Sequence, residues 1–218
     1  MEKLLVYSHI VCGGIVLLLG IYQMLNRKGS KNHIFIGKIY VAAMWWICLS
    51  AWGIVSFYRF SAFLMVIAVL TFHASFVGVR IFRRKKAGSE KWYDWGVSLI
   101  TTVSGLGIMI YGGHLYLNSP NTILAFLCLL FGFFTLLNGA QDLRFFVRKP
   151  TVEKNWWLKQ HISAMGGSYI AAITAFAVQN PNLFMPESSY QWLLWILPAA
   201  IGSPLIALAS RKWAPLKN

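Results

Sequence analysis

The sequence contains few charged residues and very few acids, and this scarcity decides the class of protein. Only 12% of its 218 residues are charged and only 6 are Asp or Glu, whereas 57% are hydrophobic and the mean hydropathy is +0.58. A soluble domain of this length needs more polar side chains than such a composition provides. The composition therefore excludes an ordinary soluble globular domain and indicates an integral membrane protein.

Cysteine pairs and the common enzymatic signatures are also lacking. The three cysteines, Cys12, Cys48 and Cys128, lie in apolar stretches without CxxC spacing, which is typical of small packing residues rather than of disulfides. The chain has no GxxxxGK[ST] phosphate loop, no GxSxG nucleophile elbow and no clustered histidine box. A retinal protein is excluded because the last apolar stretch, Tyr190–Ala209, has no lysine for a Schiff base.

Long apolar stretches are what the sequence has instead. A membrane-spanning helix needs about 20 mostly apolar residues, and seven stretches of that kind use nearly the whole chain: Leu4–Leu25, Ile34–Phe57, Phe60–Phe82, Trp92–Gly113, Asn121–Phe146, Leu158–Val178 and Tyr190–Ala209. Short connections predict antiparallel neighbours, and Pro198 and Pro204 predict a kinked or broken last helix. We therefore expect an all-α bundle of about seven transmembrane helices that forms one domain over residues 1–218.

Positive charge is concentrated in alternate connections between these stretches. The cationic segments lie at 27–38, 80–91, 144–159 and 211–217, and the other connections carry almost no Lys or Arg. By the positive-inside rule, this pattern predicts an outside N-terminus and a cytoplasmic C-terminus. We expect the basic connections to contact anionic lipid headgroups. Despite the net charge of +14, no basic domain stands clear of the membrane, so nucleic-acid binding is not expected.

Five histidines lie in or beside the apolar stretches, where ionisable residues are costly and often functional. Counting about 1.5 Å of rise per helical residue, we expect His33, His73 and His161 toward the cytoplasmic ends of their helices. By the same count, His9 and His114 form a second polar group near the outer face. The histidines therefore divide into an inner group of three and an outer pair.

A b-type haem is one ligand that the inner group could hold. Its iron takes axial imidazoles from facing helices, and basic side chains pair with its propionates. His33 and His161 are the candidate ligands, with His73 as a further candidate. Arg27 and Arg144, at the same predicted depth, are the candidate partners for the anionic groups.

A divalent metal ion is the second possibility, and interhelical hydrogen bonding is the third. Zn²⁺ accepts His together with Asp as ligands. The candidate ligands are His33, His161, Asp94 and Asp142. Asp142 could instead accept a hydrogen bond from a histidine that is itself a ligand. None of them has the close spacing of a specific metal motif such as HExxH. The acids could instead form salt bridges between helices, and the histidines could bond to neighbouring carbonyls or hydroxyls.

Several short patterns along the chain are shared with a known family. They are H-x3-G at His9–Gly13, H-x3-G-x2-Y at His33–Tyr40 after a basic K-G turn, Asp94-Trp95, Asp142-Leu143-Arg144 and W-L-x2-H at Trp157–His161. On these patterns the chain resembles the bacterial membrane proteins grouped as domain of unknown function 2306. The resemblance implies a multi-pass protein of the bacterial cytoplasmic membrane, but it implies no activity.

Two functional hypotheses remain open from the sequence. In the first, a His/Asp/Arg-lined site within the membrane, near the cytoplasmic face, binds haem or a metal ion for redox or cofactor handling. In the second, the protein is a transporter or a lipid-binding scaffold whose histidines only hydrogen-bond between helices. Whether the protein is an enzyme and whether it forms a homo-oligomer both stay open.

Overall fold

The computed structural model describes residues 1–118 and 122–214, and these residues form helices and turns without any strand. Seven of the helical segments are long and apolar enough to cross a membrane. The helices are α1 (Glu2–Leu25), α2 (Lys31–Phe57), α3 (Ala62–Arg80), α4 (Trp92–Asn118), α5 (Thr122–Arg148), α6 (Trp156–Gln179), the short α7 (Pro181–Phe184) and α8 (Leu197–Trp213). The predicted all-α fold of a multi-pass membrane protein is thereby confirmed.

Helix ends differ from the predicted ones by only a few residues, with two exceptions. Helix α4 continues to Asn118, five residues beyond the predicted end of that span at Gly113. The seventh span begins as a 3-10 turn at Gln191–Trp195 and only then becomes α8, which contains Pro204. This interruption agrees with the broken last helix that the prolines predict. The predicted start of the fifth span, Asn121, lies outside the described residues.

Connections 26–30, 84–91 and 149–155 lie together, and we call this the basic end of the bundle. The indole N–H of Trp156 donates to the carbonyl of Lys85 across it at 2.8 Å. Lys28 donates to the last carbonyls of α1, at 2.7 Å for Met24, and its partial burial lowers its pKa. Ser30 then caps α2 by accepting from the backbone N–H of His33. These caps fix the short turns that make consecutive helices antiparallel.

Helices α4 and α5 pack along a seam of small residues with a seven-residue repeat. Ser98, Gly105 and Gly112 of α4 face Gly139, Gly132 and Ala125 of α5, in that order. At each level a glycine of one helix lies against backbone of the other. A seven-residue repeat keeps one face of each helix toward its partner, and small residues let the backbones approach where no hydrophobic effect drives association. This seam sets the position of α5 against α4.

Helix α6 packs against α1, α2, α3 and α8. The ring of Tyr169 lies over Gly20 of α1, where its hydroxyl donates to the carbonyl of Leu17 at 3.0 Å. Met165 lies over Gly78 of α3 in the same way. These close approaches bring the basic ends of α3 and α6 together, and both helices carry histidines there.

Replacing Gly105 with valine should disrupt the α4–α5 seam. A Cβ at this position would lie 2.3 Å from the backbone nitrogen of Leu136, so the two helices would have to separate. Overpacking of this kind costs about 1–3 kcal/mol, and we expect a lower melting temperature for the variant in detergent. Gly107→Val is the matched control, because a Cβ at Gly107 meets nothing within 4 Å. Equal losses in the two variants would contradict the seam.

Candidate functional site

A partly buried carboxylate near the basic end lies within 3.5 Å of three polar groups from three segments. Oδ2 of Asp142, on α5, lies 3.4 Å from Nε2 of His73 on α3 and 3.5 Å from Nη2 of Arg84, which follows α3. The hydroxyl of Ser98, on α4, donates to the same oxygen at 3.4 Å. Ser98 belongs to the small-residue seam, and Asp142 lies one turn beyond its partner Gly139, so the helix packing places this contact.

A second carboxylate, Asp94, lies beside the first and is completely buried. Its Oδ2 accepts from Nη2 of Arg80 at 3.0 Å and from the backbone N–H of Lys91 at 2.7 Å, and the latter bond caps the start of α4. Its Oδ1 lies 4.0 Å from Nη1 of Arg84. Arg84 therefore bridges the two carboxylates, and Asp94, Asp142, Arg80, Arg84 and His73 form one group, which we call the charge network.

Aromatic rings hold both guanidinium groups from the other side. The guanidinium carbon of Arg80 lies 4.9 Å from the ring centre of Tyr93, and that of Arg84 lies 4.7 Å from the ring centre of Phe146. Cation–π contacts are stronger when the cation is desolvated, and Arg84 is only 2% exposed. The rings thus replace part of the water that the arginines lose on burial.

Charge balance in the network leaves the histidine as the variable member. Two arginines and two aspartates sum to zero, so the network is neutral when the His73 imidazole is neutral and positive when it is protonated. Several of its buried polar atoms have no hydrogen-bond partner among the described residues, namely both ring nitrogens of His73, Arg80 Nε, Arg84 Nε and Nη1, and Asp94 Oδ1. Buried polar atoms are rarely left without partners, so the network retains capacity for water, a proton or a small ion.

The arginines that pair with the two aspartates differ from the two that the sequence suggests as partners for the anionic groups of a bound ligand. Arg27 and Arg144 are both exposed and contact neither aspartate, whereas Arg80 and Arg84 are buried and contact both. Helical spacing could have found Arg80, because it follows His73 by seven residues and so lies two turns further along the same face of α3. Arg84 lies past the end of that helix, and only the fold shows where it points.

His33 and His161 form a separate pair at the basic end. Seven residues after each of them, Tyr40 and Ser168 hydrogen-bond across α2 and α6 at 3.1 Å. These two helices both begin at the basic end and run parallel, so the two histidines lie at matching levels, about 10 Å closer to that end. The structure thus places His33 and His161 at one level of neighbouring helices, and it places Asp94, Asp142 and His73 in the charge network.

One nitrogen of His161 is fixed and the other is free. Its Nδ1 lies 2.7 Å from the carbonyl oxygen of Gly78, which can only accept, so Nδ1 carries the proton. In the neutral ring, Nε2 then presents a lone pair and has no hydrogen-bond partner among the described residues. The ring of Phe82 lies 4.7 Å away, centre to centre. His33 Nδ1 is buried without a partner.

The two outer histidines bond locally and do not meet. His9 Nδ1 lies 2.9 Å from the hydroxyl of Ser50, which joins α1 to α2. His114 Nδ1 lies 3.2 Å from the side-chain amide of Asn118, one turn along the same helix. The His9 contact is a hydrogen bond between helices, and the His114 contact is a hydrogen bond at the end of one helix. The two outer histidines therefore bond to different partners and do not form one site.

The predicted four-residue metal site is not assembled. Structural zinc takes four protein ligands and catalytic zinc usually three. Within residues 1–118 and 122–214, no group of three or more His, Cys, Asp or Glu side chains is placed to hold a metal ion. His33 and His161 offer two nitrogen ligands, which is the number that a b-type haem needs.

Comparisons with known proteins add no assignment. No protein-family model, no curated protein and no solved structure matches this chain. The functional argument therefore depends on the geometry of the charge network and of the histidine pair.

Removing the charge of Asp94 should strongly destabilise the bundle. Asp94→Asn leaves Arg80 buried beside a neutral amide, and breaking a buried pair in this way costs about 3–5 kcal/mol. We expect a large fall in melting temperature in detergent. Glu153→Gln is the control, because its pair with Lys159 is largely exposed and such pairs contribute at most about 1 kcal/mol. Equal effects of the two substitutions would show that the network does not stabilise the fold.

Proposed function

We propose that this multi-pass membrane protein carries a proton-binding site in its charge network and functions as a proton-linked transporter. The observation that carries the proposal is the close approach of His73 and Asp142 within the span region: Nε2 of the buried histidine lies 3.4 Å from Oδ2 of the aspartate, whose side chain is 13% exposed. Buried His and Asp pairs within membranes mark proton relays in pumps and transporters. Imidazole is also the side chain whose ordinary titration range includes neutral pH.

The neighbours of this pair support proton exchange at it. When His73 is neutral, the charges of the two arginines and the two aspartates cancel. Adding a proton then gives the site a net positive charge, and electrostatic interactions with that charge are strong at the low dielectric constant of the protein interior. Arg84 contacts Asp142 and also lies near Asp94, so a gain of charge at His73 acts on both ion pairs. A change in these pairs would alter the packing of α3 against α4 and α5, which is the kind of movement that transport requires.

The basic end is proposed to face the cytoplasm of a bacterial cell. Its connections carry Arg27, Lys28, Arg83, Arg84 and Lys85, as the positive-inside rule expects of cytoplasmic loops. The N-terminus then lies outside. The resemblance to domain of unknown function 2306 favours the same membrane. In this orientation both the charge network and the histidine pair lie near the cytoplasmic face.

Infrared difference spectra after a pH jump should test proton binding at His73 and Asp142. We expect imidazole and carboxyl bands that change with pH in the wild-type protein in lipid, because the pair takes up a proton. His73→Gln and Asp142→Asn should each remove the imidazole and carboxyl changes together. His9→Gln should leave them unchanged, since His9 contacts Ser50 and not the network.

A spectrum without these bands, or one that His73→Gln leaves intact, would contradict the proposal and leave the histidine as an interhelical contact. Asp142→Glu provides a check on folding, because it keeps the charge next to Arg84. In proteoliposomes, loss of proton-linked transport in Asp142→Asn with retention in His9→Gln would connect the site to the activity.

A haem-dependent redox function is the second candidate, and the histidine pair favours it. The bond from His161 Nδ1 to the carbonyl of Gly78 fixes the ring and leaves Nε2 able to bind a metal, as is usual for histidine ligands. His33 lies at the matching level on a parallel helix. His33 and His161 would hold the haem iron, and a haem held there would supply one-electron chemistry.

Absorption spectra of the purified protein supplied with haemin should decide this second candidate. A stoichiometric Soret band that is lost in both His33→Ala and His161→Ala would support it. His114→Ala is the control, because among the described residues His114 hydrogen-bonds to Asn118 and not to His33 or His161, so this variant should keep the band. A colourless protein, or a band that persists in either variant of the pair, would exclude a two-histidine haem site.

A further inference from the structure

Beside the charge network, with which it shares Arg80, runs a groove lined by α2, α3 and α4 on the side of α3 that carries Phe72 and Phe76. Its upper part is an apolar cavity of about 250 Å³. Its lower part, toward the basic end, is a cavity of about 310 Å³ that includes two arginines and three aromatic residues: Arg80, Arg83, Trp45, Phe76 and Tyr93. On each helix the lining residues of the two parts are one turn apart, so the parts are stacked end to end.

The upper part has the character of a site for a hydrocarbon chain. Nine residues line it: Cys48, Leu49, Trp52, Ala68, Val69, Phe72, Val97, Ile100 and Thr101. Leu49 and Ile100 on its two rims are 60% and 54% exposed, so the cavity opens toward the surrounding lipid. From Ala68 to Arg83 the groove follows α3 for about 22 Å, which exceeds half of the about 30 Å hydrocarbon core. One leaflet's acyl chain therefore fits along it.

The lower part has the character of a site for an anion. Arg83 is exposed and has no acidic partner among the described residues, so its charge is not neutralised within the protein. Arg80 shares its charge with Asp94, yet its Nε is buried without a hydrogen-bond partner, and so is the indole N–H of Trp45. Three residues that carry donor groups, one of them with an uncompensated positive charge, thus line one cavity.

We propose that this groove binds one anionic phospholipid of the surrounding bilayer. The phosphate lies at Arg83, within reach of Arg80 Nε and Trp45, and one acyl chain lies in the apolar cavity above. The positive charge of Arg83 favours an anionic headgroup, and the apolar cavity favours a molecule with an acyl chain over a free anion. This proposal does not depend on proton binding at His73, because Arg83 and the groove lie outside the His73–Asp142 contact.

Native mass spectrometry of the detergent-purified full chain should test the groove. The probes are phosphatidylglycerol and phosphatidylcholine with identical chains, titrated separately. We expect tighter binding of phosphatidylglycerol, and a loss of about fivefold for it in Arg83→Gln, which corresponds to roughly 1 kcal/mol per cation near an anionic headgroup. Arg148→Gln, an exposed arginine at the same end of the bundle, is the matched control and should keep the wild-type affinity.

A second pair of variants tests the chain. Leu49→Trp should fill the rim of the groove and weaken phosphatidylglycerol binding, whereas Leu18→Trp, on the exposed face of α1, should not. Inorganic phosphate at equal concentration should fail to displace the lipid. Equal losses in Arg83→Gln and Arg148→Gln, equal affinity for the two lipids, or displacement by phosphate would each overturn the proposal. The infrared bands of His73 and Asp142 provide an independent readout, so failure of one proposal is distinguishable from failure of the other.

Discussion

Charges buried in a low-dielectric helix bundle must be paired, and the pairing of two arginines with two aspartates limits how helices α3, α4 and α5 can pack. Arg80 and Arg84, at the end of α3, are nearly inaccessible to solvent. They form ion pairs with Asp94 and Asp142, respectively. An isolated charge in hydrocarbon would cost several kcal/mol, so α3, α4 and α5 can adopt only the rotations that keep these pairs together. The pairing therefore determines which faces of three helices meet, and with them the position of His73.

The small-residue seam between α4 and α5 makes that pairing possible. Gly139 lies against the carbonyl of Ser98, and one turn further along α5 Asp142 accepts from the Ser98 hydroxyl. If a larger residue separated the helices, the carboxylate of Asp142 would move away from both Ser98 and His73. Close backbone packing and the polar contacts are thus parts of one arrangement, in which neither is stable without the other.

Helix α3 presents two different environments on its two faces. One face carries His73 and leads to the charge network, and the other carries Phe72 and Phe76 and lines the lipid groove. Arg80 belongs to both, because it pairs with Asp94 and also lines the lower cavity. An anion bound at Arg83 would therefore act electrostatically on the same arginine that balances the network, which gives lipid composition a physical route to the proposed proton site.

The membrane class and the approximate bounds of most helices follow from the amino-acid sequence alone. Hydropathy predicts seven spans because a hydrocarbon environment forces every backbone polar group into a helix, and Pro198 and Pro204 predict that the last span is kinked or broken. The sequence also places five ionisable residues near one end of the predicted spans: His33, His73, His161, Asp94 and Asp142. These predictions depend only on the position of each residue along its apolar stretch, which can be read without knowing how the helices are rotated.

Which of these groups meet depends on the packing of the helices and cannot be read from the sequence. Helix rotation separates the predicted inner group into the charge network and the pair of His33 with His161, and it leaves Arg27 and Arg144 exposed while Arg80 and Arg84 take the acids. A single sequence shows the depth of a side chain along its helix but not the neighbour that it faces. That choice is made by close packing at residues such as Gly78, Gly105 and Gly139, whose contacts lie far apart in the chain.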